Sequence, residues 1–535
     1  MLFNLLVNIQ SSDQPGAIKV NVPLVAFTAS LAYLAIKVAG SYCSQNWLTS
    51  LDIPTVALKT GATTHDQEYR QDPQAFMLKC EREYGPVYNV YLMNQLLTIV
   101  SGPDLAREFY LNKDLSFADA LDKITGMRTY IYSLTKSNQV VDNMVIHWLV
   151  RDFVTPKVHL FMPSVVRNME EQLDSQLEHC DRKLIKEPIR IIEKIVGSAM
   201  ACVFMGEEIG RQPQVIDTFV RCAPDFATAI GHGTKDFWRL LYLKFKYAYT
   251  SPMTKHIKVL VDAATPVILR RRKEEAEQGA AYVRPHDVLQ GMLDNFDKYN
   301  FVDIEDVCGH LLLLVLASVN NASDFGANML YYLAQYHEHT DKLREEIQEV
   351  LSEEAREIED LAIKDGNTAD APKIIKPSDA LTANALKKMV HLDSFVREAL
   401  RYRSEMHSFT HLARKDLTLS NGFRIPKGRL VAINLRSTHM EEALQGPDPM
   451  EFRPWRFVGK GKSASKVGTD FLQFGMGKRA CPGRFIATHD LKALVCLMLS
   501  RFSKIEMEDP SKADAALHAR QHAPTVTGLL FTSHH

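Results

Sequence analysis

Asp303 to about His337 reads as one long helix whose middle, Leu311–Ala317, is seven apolar residues in a row. A helix apolar on every side has no face to offer water, so it must be buried all round. That one segment obliges the chain to wrap other elements around it. With 535 residues, 46% hydrophobic and 24% charged, the chain has the length and balance to do so. Helical spacing of apolar and charged positions recurs at Ser164–Cys180 and Ile189–Met205. Strand signals are fewer. Tyr84–Tyr91 alternates in part and Leu96–Val100 is similar, with Met93-Asn94-Gln95 suggesting the turn of a hairpin. Short strands are expected at Asp416–Leu419, Phe423–Ile425 and Leu430–Asn434. Asn46–Lys59, with Pro54, reads as a hinge, and the charge-rich Glu353–Pro377 as a surface excursion. The fold class is mainly α with a small β portion, and no repeat or composition shift marks a second soluble domain.

Lys and Arg number 63 against 64 Asp and Glu, a net charge of −1. Such a chain has no bulk field for nucleic acid, so no nucleic-acid partner is expected. Its eight cysteines are spread along the sequence without a CxxC pair, which is neither a disulfide framework nor paired zinc-ligand spacing. Val20–Ile36 carries no charge and lies between Lys19 and Lys37. It sits at the short end of the ~17–25 residues a membrane span needs, and Val38–Gly40 extend it if Lys37 snorkels. We therefore expect residues 1–45 to be an N-terminal membrane anchor and 46–535 to be one folded domain.

The most informative stretch is Phe474-Gly-Met-Gly-Lys-Arg-Ala-Cys-Pro-Gly-Arg-Phe485. Gly475 and Gly477 permit positive φ and a tight loop. Pro482 follows Cys481 where a helix can start, and Phe485–Leu499 reads as that helix. A cysteine at a helix N-terminus, beside Lys478 and Arg479, sits where free amides and positive charge stabilise a thiolate. A shielded, electron-rich sulfur suits a metal.

The spacing Phe-Gly-x-Gly-x-Arg-x-Cys-x-Gly resembles the haem-binding signature of the cytochrome P450 superfamily, the haem-thiolate monooxygenases. The resemblance covers roughly Pro54 to the C-terminus and is strongest over Asp303–Leu499. It implies the mainly helical cytochrome P450 fold, a single catalytic domain, haem b and a fungal-type, membrane-anchored member. By it, Cys481 is the proximal ligand of the iron, whose thiolate favours O–O cleavage. By the same resemblance Phe474 shields the sulfur, Arg479 holds a haem propionate, and Gly475 and Gly483 are further cofactor-binding positions of the loop. It also joins Glu398, Arg401 and Arg456, from Glu398-Ala-Leu-Arg401 and Phe452-Arg-Pro-Trp-Arg-Phe457, into a buried charge triad. The family often has an acid where this chain has Trp455. His147 and Arg151, four apart on a helix, and His411 take propionate-binding positions. Lys460, Lys462, Lys466, Lys478 and Arg484 form the docking face for an acidic NADPH-cytochrome P450 reductase.

One segment departs from the family. In Ala317-Ser-Val-Asn-Asn-Ala-Ser323, Asn320 and Asn321 stand where most members have an acid and a threonine that deliver protons. An amide hydrogen-bonds but has no useful protonation equilibrium. Three readings follow: a monooxygenase using water or a substrate hydroxyl, an isomerase, lyase or peroxide-rearranging enzyme on the same scaffold, and a polar gap that merely packs. A haem sensor is the non-enzymatic alternative. The leading expectation is oxidation of a lipophilic small molecule in secondary-metabolite biosynthesis, with electrons from NADPH through the reductase. The catalytic domain is expected to face the cytosol from the endoplasmic reticulum membrane. The distal pocket is expected to include Leu313, Leu316, Ala317, Asn320 and Asn321, parts of 117–143 and of 408–412, and residues near 523–526.

Overall fold

A computed structural model describes residues 52–92, 95–125, 134–137, 145–177, 181–229, 251–364, 376–403, 407–517 and 525–534, with short pieces at 7–8, 19–20, 241–242 and 245. The expected anchor, 1–45, lies outside the described residues apart from 7–8 and 19–20, where Val7 pairs with Val20 and Asn8 with Lys19. So do the turn residues 93–94 and much of the expected pocket wall within 117–143 and 523–526. The chain divides into two compact units, one of residues 1–100 with 412–432, the other of 101–411 with 433–535.

In the first unit the helix Pro73–Tyr84 starts on Asp72, whose carboxylate accepts from the Ala75 amide, and ends at Gly85 with φ +85°. Strand β1 (Val87–Leu92) pairs antiparallel with β2 (Gln95–Val100), Val87 opposite Val100. This is the expected hairpin. The segment read as a hinge is instead docked at 53–56. Pro54 has no N–H to give, but its carbonyl accepts from the Asn89 amide at 2.8 Å, and Val56 donates to Asn89 O at 2.9 Å. Leu417–Thr418 pairs with Arg424–Ile425, close to the expected short strands.

The second unit is mostly helical and contains the cysteine loop. Helix α1 (Val158–Leu177) packs on α2 (Pro188–Met205), and α2 on the long helix α3 (Ile304–Gln335). Asp303 caps α3 by accepting from the Asp306 amide at 2.8 Å. Val307, Cys308, Leu311, Leu312, Leu314 and Val315 are buried, as an all-round apolar helix requires. Among the described residues α3 is also the one helix long and apolar enough to cross a membrane, and it is spent in this core. Small residues set its close contacts. A Cβ on Gly326 would lie 2.9 Å from Ile192 and 3.0 Å from Leu494, so its absence lets α2 and α5 (Arg484–Arg501) reach α3. Helix α4 (Val390–Tyr402) packs on α5.

Two elements differ from expectation. Thr340–Lys364 is a continuous helix where a surface excursion was expected from 353, because Leu343, Ile347, Val350 and Leu351 give its polar sequence one buried face. A three-stranded antiparallel sheet, β3 (Arg182–Ile185), β4 (Phe502–Met507) and β5 (Leu529–Ser533) with β5 central, has no counterpart in the sequence reading.

Candidate active site

The cysteine loop is closed by its own backbone. Gly475 (φ +69°) and Gly477 (φ +66°) take left-handed conformations, and the Gly475 amide donates to Leu472 O at 2.8 Å. A single 3-10 turn, Gly477–Arg479, follows, and the Cys481 amide donates to Phe474 O at 2.8 Å. Space is tight at Gly477, where a Cβ would lie 3.1 Å from Leu111, while at Gly475 it would meet the Tyr110 ring at an ordinary 3.4 Å and the positive φ is the constraint. Thr155 Oγ1 donates to Pro482 O at 3.1 Å, tying the loop to the helical segment before α1.

Cys481 is exposed, unlike the buried Cys80, Cys202, Cys222, Cys308 and Cys496. Yet the dominant influence on its thiol is desolvation, which raises its pKa. Water can reach the sulfur, yet enough protein surrounds it to desolvate the thiol. The amides of Gly483 and Arg484 and the Arg484 charge act the other way, favouring the thiolate. A desolvated soft donor with amides aimed at it suits thiolate ligation of a haem iron. These residues fit that group.

Helix α3 presents a matching feature. Between 313 and 325, Leu314, Val315, Val319 and Ser323 are buried; Ser318, Ala322 and Phe325 are accessible on one side of the helix, and Leu313, Leu316, Ala317, Asn320, Asn321 and Asp324 on another. At 100° per residue the latter group forms one stripe, apolar at its start and polar at its end. Asn321 Nδ2 donates to Ala317 O at 3.0 Å, and Ser318 Oγ to Leu314 O at 2.8 Å. The Asp324 carboxylate meets Arg403 Nη2 at 2.5 Å. Ser323, the last residue of a glycosylation sequon, is buried and bonded to Val319 O.

The expected propionate ligands fall into two groups. His147 is half-buried, and burial first, then Arg151 and Arg484, lowers its pKa. The α-helical turn Val145–Leu149 that carries it runs into a π turn, Val150–Val154, so Arg151 is not on the same regular helix. Arg151 Nε donates to Asp152 at 2.7 Å, and its guanidinium lies 5.3 Å from the Trp148 ring. His411 is buried against the Phe109 ring at 4.6 Å and close to Phe117, with Nδ1 3.2 Å from Phe409 O. Burial, opposed by that carbonyl and aided by the nearby Arg479 charge, lowers its pKa to about 4.

Behind the loop, Glu398, Arg401 and Arg456 meet. Arg401 donates to both Glu398 oxygens, at 2.7 and 2.8 Å, and Arg456 Nε to Oε1 at 3.0 Å. The Arg453 amide adds a bond at 2.8 Å. Each guanidinium also binds carbonyls of the following strap, Arg401 those of His439 and Pro449, Arg456 those of Pro447, Asp448 and Glu451. A buried charge set survives only when every member is satisfied, and these are. Trp455 is not an acid and does other work: its ring packs edge-on between His339 and His391, at 5.5 and 5.2 Å.

Sequence reasoning missed Arg397 and His439. His439 is fully buried, its Nε2 accepts from the Leu472 amide at 2.9 Å, and its ring stacks on Phe471. The i, i+4, i+8 row Asp393, Arg397, Arg401 was the available signal for a polar helix face.

The cytochrome P450 family model matches residues 62–518. The chain belongs to the cytochrome P450 family. Its relatives include cytochrome P450 monooxygenase AN1598 of Emericella nidulans, 23% identical over 71% of this chain and 69% of that protein. Cytochrome P450 monooxygenase AtmP of Aspergillus flavus is 26% identical over 69% of this chain and 67% of its own. Cytochrome P450 monooxygenase 71 of Postia placenta is 23% identical over 90% and 92%. This cytochrome P450 is an oxidoreductase with the mainly α fold of its family, and the family carries a haem iron.

Proposed function

We propose that this cytochrome P450 is a haem-thiolate monooxygenase that inserts oxygen into a lipophilic small molecule, as a step in secondary-metabolite biosynthesis. The observation that carries the reading is Cys481, an accessible yet desolvated sulfur at the start of α5. Bound haem supplies the oxygen activation. The chain supplies the rest. The Gly483 and Arg484 amides favour the thiolate that the iron would hold, and Phe474 shields it. Arg479, His411, His147 and Arg151 are the cationic and hydrogen-bonding partners for two propionates. Leu313, Leu316 and Ala317 offer the substrate an apolar wall, and Asn320 and Asn321 offer it amides.

Electrons come from NADPH through a reductase docking on Lys460, Lys462, Lys466, Lys478 and Arg484. In this patch Lys462 pairs with Asp470 at 2.8 Å and Lys466 caps Gly461 O at 3.0 Å. Residues 1–45 anchor the protein in the endoplasmic reticulum membrane and 46–535 form the cytosolic catalytic domain. A second reading, an isomerase, lyase or peroxide-rearranging enzyme, is favoured by one observation. The stripe of α3 carries two amides where the chemistry of dioxygen calls for a proton donor. A haem sensor is the non-catalytic version.

The experiment is reduction of the haem-loaded protein under carbon monoxide, once with dithionite and once with NADPH plus reductase. A thiolate-type band with both is expected. A band with dithionite alone would move the assignment to the rearranging or sensor reading.

A further inference from the structure

Helix α4 turns a polar face toward the strap of chain, 447–471, that leads into the cysteine loop. Glu398 and Arg401, with Arg456, grip its first part, as described above. Ser394 continues the grip: its Oγ donates to Pro454 O at 2.7 Å and accepts from the Phe457 amide at 3.0 Å. Arg397 holds the second part, which none of the triad reaches.

Arg397 is 1% exposed. Its Nη1 donates to Ser463 O and to Lys466 O, both at 2.7 Å. Its Nη2 lies 3.5 Å from the Asp470 carboxylate. The face of the guanidinium lies 4.8 Å from the Phe457 ring centroid and 4.0 Å from that of Phe471. Only a planar, delocalised cation can fork to carbonyls in its plane while stacking on rings above it. Phe471 in turn packs edge-on against Phe474 at 6.3 Å, and Phe474 O closes the loop on the Cys481 amide at 2.8 Å. Asp393 adds one more tie, accepting from the Ala464 amide at 2.9 Å while Lys492 of α5 holds its other oxygen at 3.0 Å.

We infer that Arg397 is a positioning residue for Cys481: it fixes residues 463–471 and, through Phe471 and Phe474, sets where the sulfur sits. The contacts make two separable claims. Dependence of the strap on Arg397 is a property of the polypeptide alone. Dependence of the sulfur's ligation on it rests on the haem-thiolate reading proposed above.

The test takes Arg397→Met and Arg397→Lys in the full-length chain. Lysine keeps the charge but not the fork or the stacking plane, so it can replace one carbonyl bond at most. In the haem-free protein, amide hydrogen exchange across 463–481 should speed up on the order of tenfold or more in Arg397→Met, and less in Arg397→Lys, with α1 and α2 unchanged. On titration with haemin and reduction under carbon monoxide, the thiolate-type band should give way faster to the band of a lost thiolate, in the order Met, Lys, wild type. Equal exchange in wild type and variants would overturn the inference, as would a rise spread evenly over α1, α2 and the strap. Faster local exchange with an unchanged rate of band loss would overturn the link to Cys481 and leave the haem-thiolate reading standing. If Arg397→Met does not fold, Asp470→Asn with Arg397→Lys carries the same comparison.

Discussion

Glu398 has no solvent exposure, and three donors, the Arg401 and Arg456 side chains and the Arg453 amide, meet its two oxygens. Deleting one partner therefore exposes the others to the full cost of a buried, unpaired charge. Arg456→Ala should destabilise the fold by about 3–5 kcal/mol, read as urea-unfolding midpoints, and sharply lower the yield of haem-loaded protein. Histidines add a pH dependence. Burial, then Lys492, lowers the His489 pKa to about 4, and its Nδ1 is 2.7 Å from Phe485 O. His411 lies at about 4 as well. In the unfolded chain both titrate near ~6.5. Between the two values the unfolded state binds the proton and the native state does not. Their contribution is fully present above ~6.5 and is lost as pH falls toward 4, at up to about 1.4 kcal/mol per pH unit for each residue. Unfolding midpoints measured from pH 7 to pH 4 should fall, and His489→Gln should flatten the slope. An unchanged slope would mean that His489 is protonated in the fold.

Elements were legible where the sequence pattern matched the environment. The apolar run of α3 and the helix after the cysteine loop announce themselves, because burial on all sides leaves a local mark, though α5 begins at Arg484 after Gly483 and not at Pro482. The hairpin β1–β2 did too. The Thr340–Lys364 helix was not read as a helix, because its buried face is narrow and its charges dominate the composition. β3 was invisible because Arg182 and Lys183 resemble a loop and the strand exists only by pairing with β5, some 340 residues later. The π turn at Val150–Val154 carries no periodicity that differs from an α-helix over five residues. At the site, motif residues could be named from spacing, whereas Arg397 and His439 could not, since their partners lie on a strap with no regular structure. One prediction belongs to this scale. A Cβ at Gly309 would lie 1.9 Å from Leu134 O, a backbone atom that cannot rotate away. Gly309→Ala should push the 134–137 segment off α3 and cost about 1–3 kcal/mol in thermal or urea unfolding. The Lys136 and Ser137 amides, which now donate to Asp306 Oδ1 at 2.7 and 3.1 Å, should exchange faster.

At the largest scale, the helical unit has a buried apolar helix with other helices packed around it, and a cysteine loop strapped down by a polar face of α4. The accessible stripe on α3 and the sulfur of Cys481 are the features on which the proposed haem-thiolate reading rests. Composition and periodicity supported the helix-rich part of the fold, and the family resemblance supplied the rest. The reaction did not follow from them, because pocket shape depends on loops with little pattern, and Asn320 and Asn321 leave the family's usual proton route open to more than one chemistry. The most direct measurement is a ferrous carbon monoxide difference spectrum of purified, haem-loaded protein, beside the Cys481→Ala variant. The account expects a red-shifted, thiolate-type band in the wild type and its loss in the variant. A folded, haem-replete wild type without that band, or a variant that keeps it, would contradict the assignment of Cys481.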